Sequence, residues 1–409
     1  MGIIKSHLLQ NITIMGKVIC PYCFEQFDSK DVMFRCGNVG RCKQEEDSVL
    51  SKYWATKQIV GATIESSGGL FGLKLSTPDS AKCPKCGEKS YQMICPHCHN
   101  RVPREMVKKK GFIISIIGAR SSGKTVYITT LINELQRHGR LKLDGLGIQA
   151  DNVAEDPANN TQNRYERDFF NVLYRNKKCP AQTDINAPES KIPLIYEITK
   201  EKGDNIYLVF YDTAGENFAN INNIKGNVKF LQESDATIFL LDTFNVPYVH
   251  DKLGLKGDIN LRYNVIIDNV LTFFKESMSP EVRDAHFKKP MALVFGKIDA
   301  ILNNADTFAD TSIPGMSMES DSSYLQGCGV SLDEFDGISA SLEGALEAWD
   351  EGNFIQVIRN NYKNAKYFGI SALGEDPVSN SVQKVKPFRV LDPLVWILSE
   401  FKFPLPITK

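Results

Sequence analysis

No run in this 409-residue sequence approaches the roughly 18 to 20 uninterrupted apolar residues that a membrane span needs. The opening Met1-Gly2-Ile3-Ile4-Lys5-Ser6-His7 has no signal-peptide core, so the cytoplasm is the expected compartment and no membrane span is expected. Net charge is nearly absent as well, with 48 Lys and Arg against 49 Asp and Glu. Cysteine is sparse after residue 98: only Cys179 and Cys328 follow, isolated thiols with no evident base nearby, and they carry no functional expectation. What remains is a soluble-type composition, 42% apolar and 24% charged, long enough for two or three domains.

The near-zero net charge conceals an asymmetry. Residues 1–110 hold 17 Lys and Arg against 10 Asp and Glu, giving +7, and the remainder carries −8. A basic front is compatible with an acidic protein surface or nucleic acid. It contains no Arg-rich or aromatic-interleaved stretch, so the solvated surface of a small metal module is the preferred reading and nucleic acid is not favoured.

That front holds eight of the ten cysteines: Cys20, Cys23, Cys36, Cys42, Cys83, Cys86, Cys95 and Cys98. Cys20-Pro-Tyr-Cys23, Cys83-Pro-Lys-Cys86 and Cys95-Pro-His-Cys98 are knuckles, tight turns that aim two thiolates at one tetrahedral ion. Repeated C-x-x-C pairs without a secretion signal read as zinc in preference to disulfides, and their number argues against a redox pair. The simplest partition is two Cys₄ sites in series, Cys20 to Cys42 and Cys83 to Cys98; a crossed arrangement sharing knuckles between distant segments fits the same spacing. Both sites read as structural, with His97 and His99 as bystanders. Residues 44–82 read as a loop or ribbon extension, and Pro103 with Lys108-Lys109-Lys110 as a solvated junction.

The rest of the chain is organised around Gly118-Ala119-Arg120-Ser121-Ser122-Gly123-Lys124-Thr125, which follows the apolar run Phe112–Ile117 and leads into Val126–Leu135. This is strand, glycine loop and helix: backbone N–H groups wrap a phosphate, Lys124 reaches the outer phosphates and Thr125 gives its hydroxyl to Mg²⁺. Ile192–Thr199 and Ile206–Tyr211 read as a strand pair that ends in Asp212-Thr213-Ala214-Gly215-Glu216, where a carboxylate can hold Mg²⁺ through water and Gly215 can meet the γ-phosphate. Asp235–Asp242 and Met291–Phe295 read as buried strands, and the second delivers Gly296-Lys297-Ile298-Asp299. There Lys297 can cover a purine, and Asp299 can accept from the paired donors of guanine. Tyr367–Ile370 runs into Ser371-Ala372, whose N–H groups can meet the guanine O6. Leu261–Lys275 reads as a helix with Val265, Ile266, Val270, Leu271 and Phe274 on its core face, and Ala345–Lys363 as another helix. The Ser/Asp/Gly-rich stretch 303–341, with Met316 and Met318, reads as a surface insertion near the base pocket.

In order, GARSSGKT, DTAG, GKID and SAL resemble the motifs of the Ras-like, translation-factor-related P-loop GTPases over about residues 111–405. The cysteine knuckles ahead of GARSSGKTVYITTL narrow the resemblance to the bacterial double-GTPase proteins, whose members are associated with conflict or defence systems. It implies a three-layer α/β domain at 111–409, a mixed, mostly parallel six-stranded sheet with helices on both faces, preceded by a zinc-ribbon-like module at 1–110. It also implies a GTP-binding, GTP-hydrolysing switch in a multiprotein assembly, with GTP, Mg²⁺ and two Zn²⁺ as cofactors, and a protein partner or second GTPase protomer. Gly118, Ser121, Ser122, Gly123, Lys124, Thr125, Asp212, Gly215, Lys297, Asp299, Ser371 and Ala372 would hold nucleotide; Thr125, Asp212 and Thr183 would hold Mg²⁺. Thr183 is preferred to Thr161 as the first-switch threonine on position. Two departures stand out. The guanine motif usually begins with Asn or Thr, here Gly296, and the water-orienting Gln is Glu216, so slow turnover is expected. Asn217, or an arginine such as Arg120 supplied across a dimer, could assist. An ATP-hydrolysing P-loop protein and a non-hydrolysing nucleotide-binding scaffold are the alternatives.

Overall fold

A computed structural model describes residues 16–66, 76–109, 111–119, 121–180, 192–200, 206–212, 229–256, 259, 263–311, 313 and 316–408. Its body is a seven-stranded sheet. The strands are β1 (Gly111–Gly118), β2 (Gly147–Ala150), β3 (Leu194–Thr199), β4 (Ile206–Asp212), β5 (Ala236–Asp242), β6 (Met291–Gly296) and β7 (Ala365–Gly369), in the order β2-β3-β4-β1-β5-β6-β7. Four neighbouring pairs from β4 to β7 are parallel; β2–β3 and β3–β4 are antiparallel. The sheet has one strand more than the six expected, because the short β2 pairs with β3 from Gly147↔Thr199 to Ala150↔Tyr196.

The apolar run of β1 is buried on both faces, as a central parallel strand requires. Phe112, Ile114 and Ile116 face one layer, with Tyr127, Ile128 and Leu131 of α1 (Lys124–Lys142) and with Trp396. Ile113 and Ile117 face the other, with Phe239, Phe274 and Leu346. That second layer is continuous with the front module through Phe24, Phe34, Met106 and Val107. The Pro103–Lys109 junction is accordingly a short helix, Arg104–Lys108, with Met106 and Val107 buried; it is packed against the body where a solvated linker was expected.

After α1 the chain forms α2 (Tyr165–Arg175), a π-helix whose wider turn shows in the Asn176 N–H donating to the Asn171 carbonyl at 2.8 Å. Helix α3 (Lys229–Glu233) precedes β5, and α4 (Tyr263–Ser277) lies between β5 and β6. Ile266, Val270, Leu271 and Phe274 of α4 are buried, whereas Val265 is exposed on the opposite side of the turn. The helix expected over 345–363 is two, α5 (Leu332–Ala348) and α6 (Gly352–Asn361), broken at Asp350 with φ +64°.

The stretch 303–341 is anchored in the core, contrary to its reading as a surface excursion. Phe308, Tyr324, Val330, Phe335 and Ile338 are buried. Ser322 and Tyr324 donate to the buried carboxylate of Asp392, which opens α7 (Asp392–Glu400), and Arg389 pairs with Asp392 at 2.8 Å and with Glu334 at 2.6 Å. The polar composition that suggested a loop supplies this buried network.

In the front module, two hairpins, Lys17–Ile19 with Gln26–Asp28 and Ala81–Lys82 with Lys89–Ser90, each enclose a knuckle. A central strand, Met33–Arg35, pairs antiparallel with Gln92–Ile94 and with Thr63–Ile64. The 44–82 region contains a helix, Ser48–Trp54, in addition to extended chain. Asp47 caps its start, accepting from the Val49 and Leu50 N–H groups.

Candidate nucleotide site and metal centres

Eight cysteines form two tetrads, Cys20/Cys23/Cys95/Cys98 and Cys36/Cys42/Cys83/Cys86, with all four sulfurs of each within 4.8 Å. The series partition is therefore overturned in favour of the crossed one, and the ladder gives the reason. Met33 lies opposite Ile94 and Arg35 opposite Gln92, so Cys36 leaves one end of the antiparallel pair and Cys95 the other. The knuckles nearest in sequence cannot share an ion.

The geometry fits zinc. Cys20–Cys98 and Cys36–Cys86 are 3.6 Å apart, and Cys23–Cys95 and Cys42–Cys83 are 3.8 Å apart. A tetrahedral ion with Zn–S near 2.3 Å has an S···S edge of about 3.8 Å, far from the roughly 2.05 Å of a disulfide. The three C-P-x-C knuckles share one backbone. The residue four after the first cysteine, Phe24, Gly87 or His99, takes positive φ and donates its N–H to that cysteine's carbonyl. The Tyr22 and His97 N–H groups and the Asn100 amide donate to Cys20, Cys95 and Cys98 sulfurs at 3.3–3.4 Å.

Trp54 and the Arg35–Asp47 pair form a supporting shell that the spacing did not disclose. Trp54 Nε1 donates to Asn100 Oδ1 at 2.9 Å, and the buried Arg35 pairs with Asp47 at 2.7 Å. Burial pushes the Asp47 carboxyl up, but the Leu50 N–H, Arg35 and His99 outweigh it and hold it well below the usual range. His99 thus serves Asp47, at 2.8 Å, and His97 approaches the Gln26 carbonyl at 3.2 Å; neither belongs to a tetrad.

The phosphate loop joins β1 to α1. A Cβ on Gly118 would stand 2.3 Å from the Leu240 carbonyl of β5, so only glycine lets the loop lie this close. Gly123, at φ +86°, caps α1 without a side chain, leaving the first-turn N–H groups directed toward the loop. Lys124 is buried and curls back, its Nζ donating to the Gly118 and Ala119 carbonyls at 3.1 and 2.9 Å. Ser122 Oγ is buried with no protein partner among the described residues, a polar atom that a phosphate oxygen would satisfy. Ser121 holds φ +63°, and Thr125 lies in the first turn of α1.

At the ends of β6 and β7 the residues expected to read a base meet. The Ile298 N–H donates to the Ile370 carbonyl at 3.0 Å, and the Ser371 hydroxyl bonds the buried Asp299 carboxyl. Burial raises Asp299 above the usual carboxylate range, and the Ser371 bond opposes this only in part. Lys297 Nζ pairs with Asp242 of β5 at 2.6 Å. Ala372 follows directly in the same turn, which the Gly374 N–H to Ser371 Oγ bond closes at 2.8 Å. Met316, from the stretch read as a surface insertion, packs under this corner against Gly369, which Ile298 also approaches.

Asp212 closes β4 beside Ile116 of β1, so its backbone neighbours the phosphate loop. Thr183, Gly215, Glu216, Asn217 and Arg120 lie outside the described residues. Thr161, the alternative to Thr183, is buried and accepts from the Ile195 N–H at 3.0 Å, a structural commitment.

Residues 112–270 match the family model described as Double-GTPase 2. Over those residues the body is similar to the P-loop GTPase domains of the double-GTPase type. A relative in Mycolicibacterium smegmatis, SaeC, whose name carries a proposed role in ESX-1 scaffolding and assembly, is 24% identical over 400 residues, covering 93% of this chain and 98% of that one. Among solved structures, the Arl6 (BBS3) small GTPase of Trypanosoma brucei with bound GppNp matches at 11% identity and TM-score 0.31, covering 72% of this chain and 98% of that one. The Ski7 GTPase-like domain of S. cerevisiae bound to GTP matches at 12% identity and TM-score 0.30, covering 71% and 50%. No helix among the described residues is long and apolar enough to cross a membrane.

Proposed function

We propose that this protein is a guanine-nucleotide switch within a protein assembly, with residues 1–110 as its metal module and 111–409 as its nucleotide body. One observation carries the reading: the phosphate loop and the base-reading corner meet at the same edge of the sheet, where a Cβ on Gly296 would stand 3.8 Å from the Ser122 carbonyl. Lys124, Ser122 and the start of α1 would hold the phosphates, Thr125 and Asp212 the Mg²⁺, and Lys297, Asp299, Ser371 and Ala372 the guanine. Mg²⁺ would neutralise the phosphate charge and help orient the γ-phosphate. Thr183 and the segment Asp212–Asn217 would respond to that phosphate. With Glu216 where a Gln usually orients water, hydrolysis is expected to be slow and to be accelerated by a partner.

The metal module is the proposed transmitter of the switch. Residues beside its tetrads contact α3 and residues 154–155 of the body. Phe24 packs on Phe230 of α3 at 5.9 Å, and Gln26 donates to Glu233 at 2.8 Å. Arg101, three residues after Cys98, donates to the Ala154 carbonyl at 2.8 Å, and Arg35 lies 3.5 Å from Glu155. A scaffolding role is favoured over a defence role because SaeC, which aligns over nearly the whole chain, is named for scaffolding and assembly.

The test is equilibrium binding of GTP and ATP analogues with Mg²⁺ to the full chain and to Lys124→Ala and Asp299→Asn variants, followed by phosphate release. Guanine preference that disappears in Asp299→Asn, with slow release, supports the switch. Equal ATP binding untouched by that change refutes it.

A further inference from the structure

Gly296 ends β6 where a side chain would ordinarily tie the base-reading loop to its surroundings, and the neighbouring strand supplies a tie of its own. Asp242 is the register partner of Gly296 across the β5–β6 pair. Its side chain is only 8% exposed, with Oδ2 accepting from Lys297 Nζ at 2.6 Å and Oδ1 from the Phe244 N–H at 3.1 Å. The same ammonium stands 4.8 Å from the centroid of the Phe244 ring. One residue along, Thr243 Oγ1 donates to the Gly296 carbonyl at 2.5 Å. Lys297 itself holds φ +62°, a left-handed conformation unfavourable for a residue with a Cβ and retained only where surrounding contacts over-determine it.

Resting on the guanine reading above, we propose that Asp242 is a positioning residue for nucleotide binding. It holds the Lys297 ammonium so that the four-carbon stem is already ordered beside the pocket formed by Asp299 and Ser371. A lysine side chain has a large rotamer entropy, and fixing it before the base arrives removes an ordering cost from the binding step. The buried Asp242 carboxylate in turn needs the ammonium, since an unpaired charge in that position is unfavourable. Two strand ends, β5 and β6, thereby act as one rigid support for the base. The contact acts on affinity for any purine nucleotide; the choice of guanine stays with Asp299.

The full chain with Asp242→Asn tests this, using GDP, GTP, ITP and XTP as probes, beside Asp299→Asn. Asp242→Asn is expected to weaken GDP and GTP binding alike by about tenfold while the GTP-to-ITP ratio stays within twofold. Asp299→Asn is expected instead to shift preference from GTP toward XTP. Adding Gly296→Asn to Asp242→Asn should recover most of the lost affinity, because a Cβ at 296 meets only ordinary contacts, 3.4 Å from the Leu241 carbonyl and 3.8 Å from that of Ser122, within reach of an amide tie to the phosphate loop. Thermal stability of each variant separates positioning from folding. Affinity within twofold of the parent in Asp242→Asn, or a lowered melting temperature with unchanged affinity, overturns the proposal while the guanine reading stands. An Asp299→Asn variant that keeps its GTP-to-XTP ratio overturns the guanine reading, and the proposal with it.

Discussion

Removing zinc from one tetrad but not the other distinguishes a transmitting metal module from a passive one. Cys95→Ser takes a ligand from the tetrad whose knuckles lie beside the contacts to α3 and Ala154, and Cys83→Ser takes one from the tetrad whose knuckle is held in the 81–90 hairpin. Between that hairpin and residues beyond 111, no hydrogen bond or ion pair is present among the described residues. The contacts at risk in Cys95→Ser can be valued. The Phe24–Phe230 ring pair contributes about 0.5–1.5 kcal/mol, and the Arg101 bond to Ala154 about 1 kcal/mol. The Glu25–Lys229 pair, roughly half exposed on both sides, adds little. If most of this roughly 2 kcal/mol favours the nucleotide-competent arrangement, GTP affinity falls tenfold or somewhat more, since about 1.4 kcal/mol is a factor of ten. Zinc per chain by native mass spectrometry and nucleotide affinity by fluorescence titration are the paired assays. Cys95→Ser should lose one zinc and about tenfold in affinity; Cys83→Ser should lose one zinc and keep its affinity within twofold. Equal losses in the two variants, or unchanged affinity in Cys95→Ser, would refute the reasoning.

Other outcomes follow from single residues. Lys124→Ala removes the cation curled over the phosphate loop and is expected to weaken GTP binding by about a hundredfold or more without unfolding the chain, read by titration beside circular dichroism. Because burial raises Asp299 above the usual carboxylate range, GTP affinity should fall on acidification through that raised value, where the carboxyl gains a proton and can no longer accept from guanine. Stability of the nucleotide-free protein moves the opposite way: the folded state keeps this proton to higher pH than the unfolded chain, so its contribution declines as pH climbs through the same interval, and denaturant titration across pH checks it. Gly61→Ala would bring a Cβ to 1.9 Å from the Cys36 carbonyl, so zinc content should fall by one at the second tetrad although no ligand is changed. Asp392→Ala leaves the buried Arg389 with Glu334 as its remaining carboxylate and removes the acceptor of Ser322 and Tyr324, and should cost about 3 kcal/mol in urea unfolding; survival with less than about 1 kcal/mol lost would contradict the network.

The phosphate loop was legible because its chemistry is local. Glycines, lysine and threonine occupy eight consecutive positions, and the flanking apolar run and helix are set by short-range periodicity. The strands of Asp235–Asp242 and Met291–Phe295 were legible for the same reason, as continuous apolar runs buried on both faces. Short, irregular pieces were not. Strand β2 is four residues long and is stabilised by β3, fifty residues away; the π-helical turn of α2 follows no apolar period that differs from an ordinary helix. The 303–341 stretch misled because polar residues that suggest solvent, Ser322 and Glu334 among them, here meet Asp392 and Arg389 inside the core.

The sequence by itself determined which residues are candidates for the chemistry: eight clustered cysteines, a glycine loop of the phosphate-binding pattern, and Lys297, Asp299 and Ser371 at strand ends. Only the tertiary structure decided which of them act together. The antiparallel pairing of Met33–Arg35 with Gln92–Ile94 sends Cys36 and Cys95 to opposite ends and so crosses the tetrads. The parallel register of β5 with β6 brings Asp242 to Lys297, 55 positions away in the chain. Spacing in a sequence constrains partners a few residues apart, whereas partners separated by a strand crossing are fixed by backbone hydrogen-bond register, which no local pattern encodes.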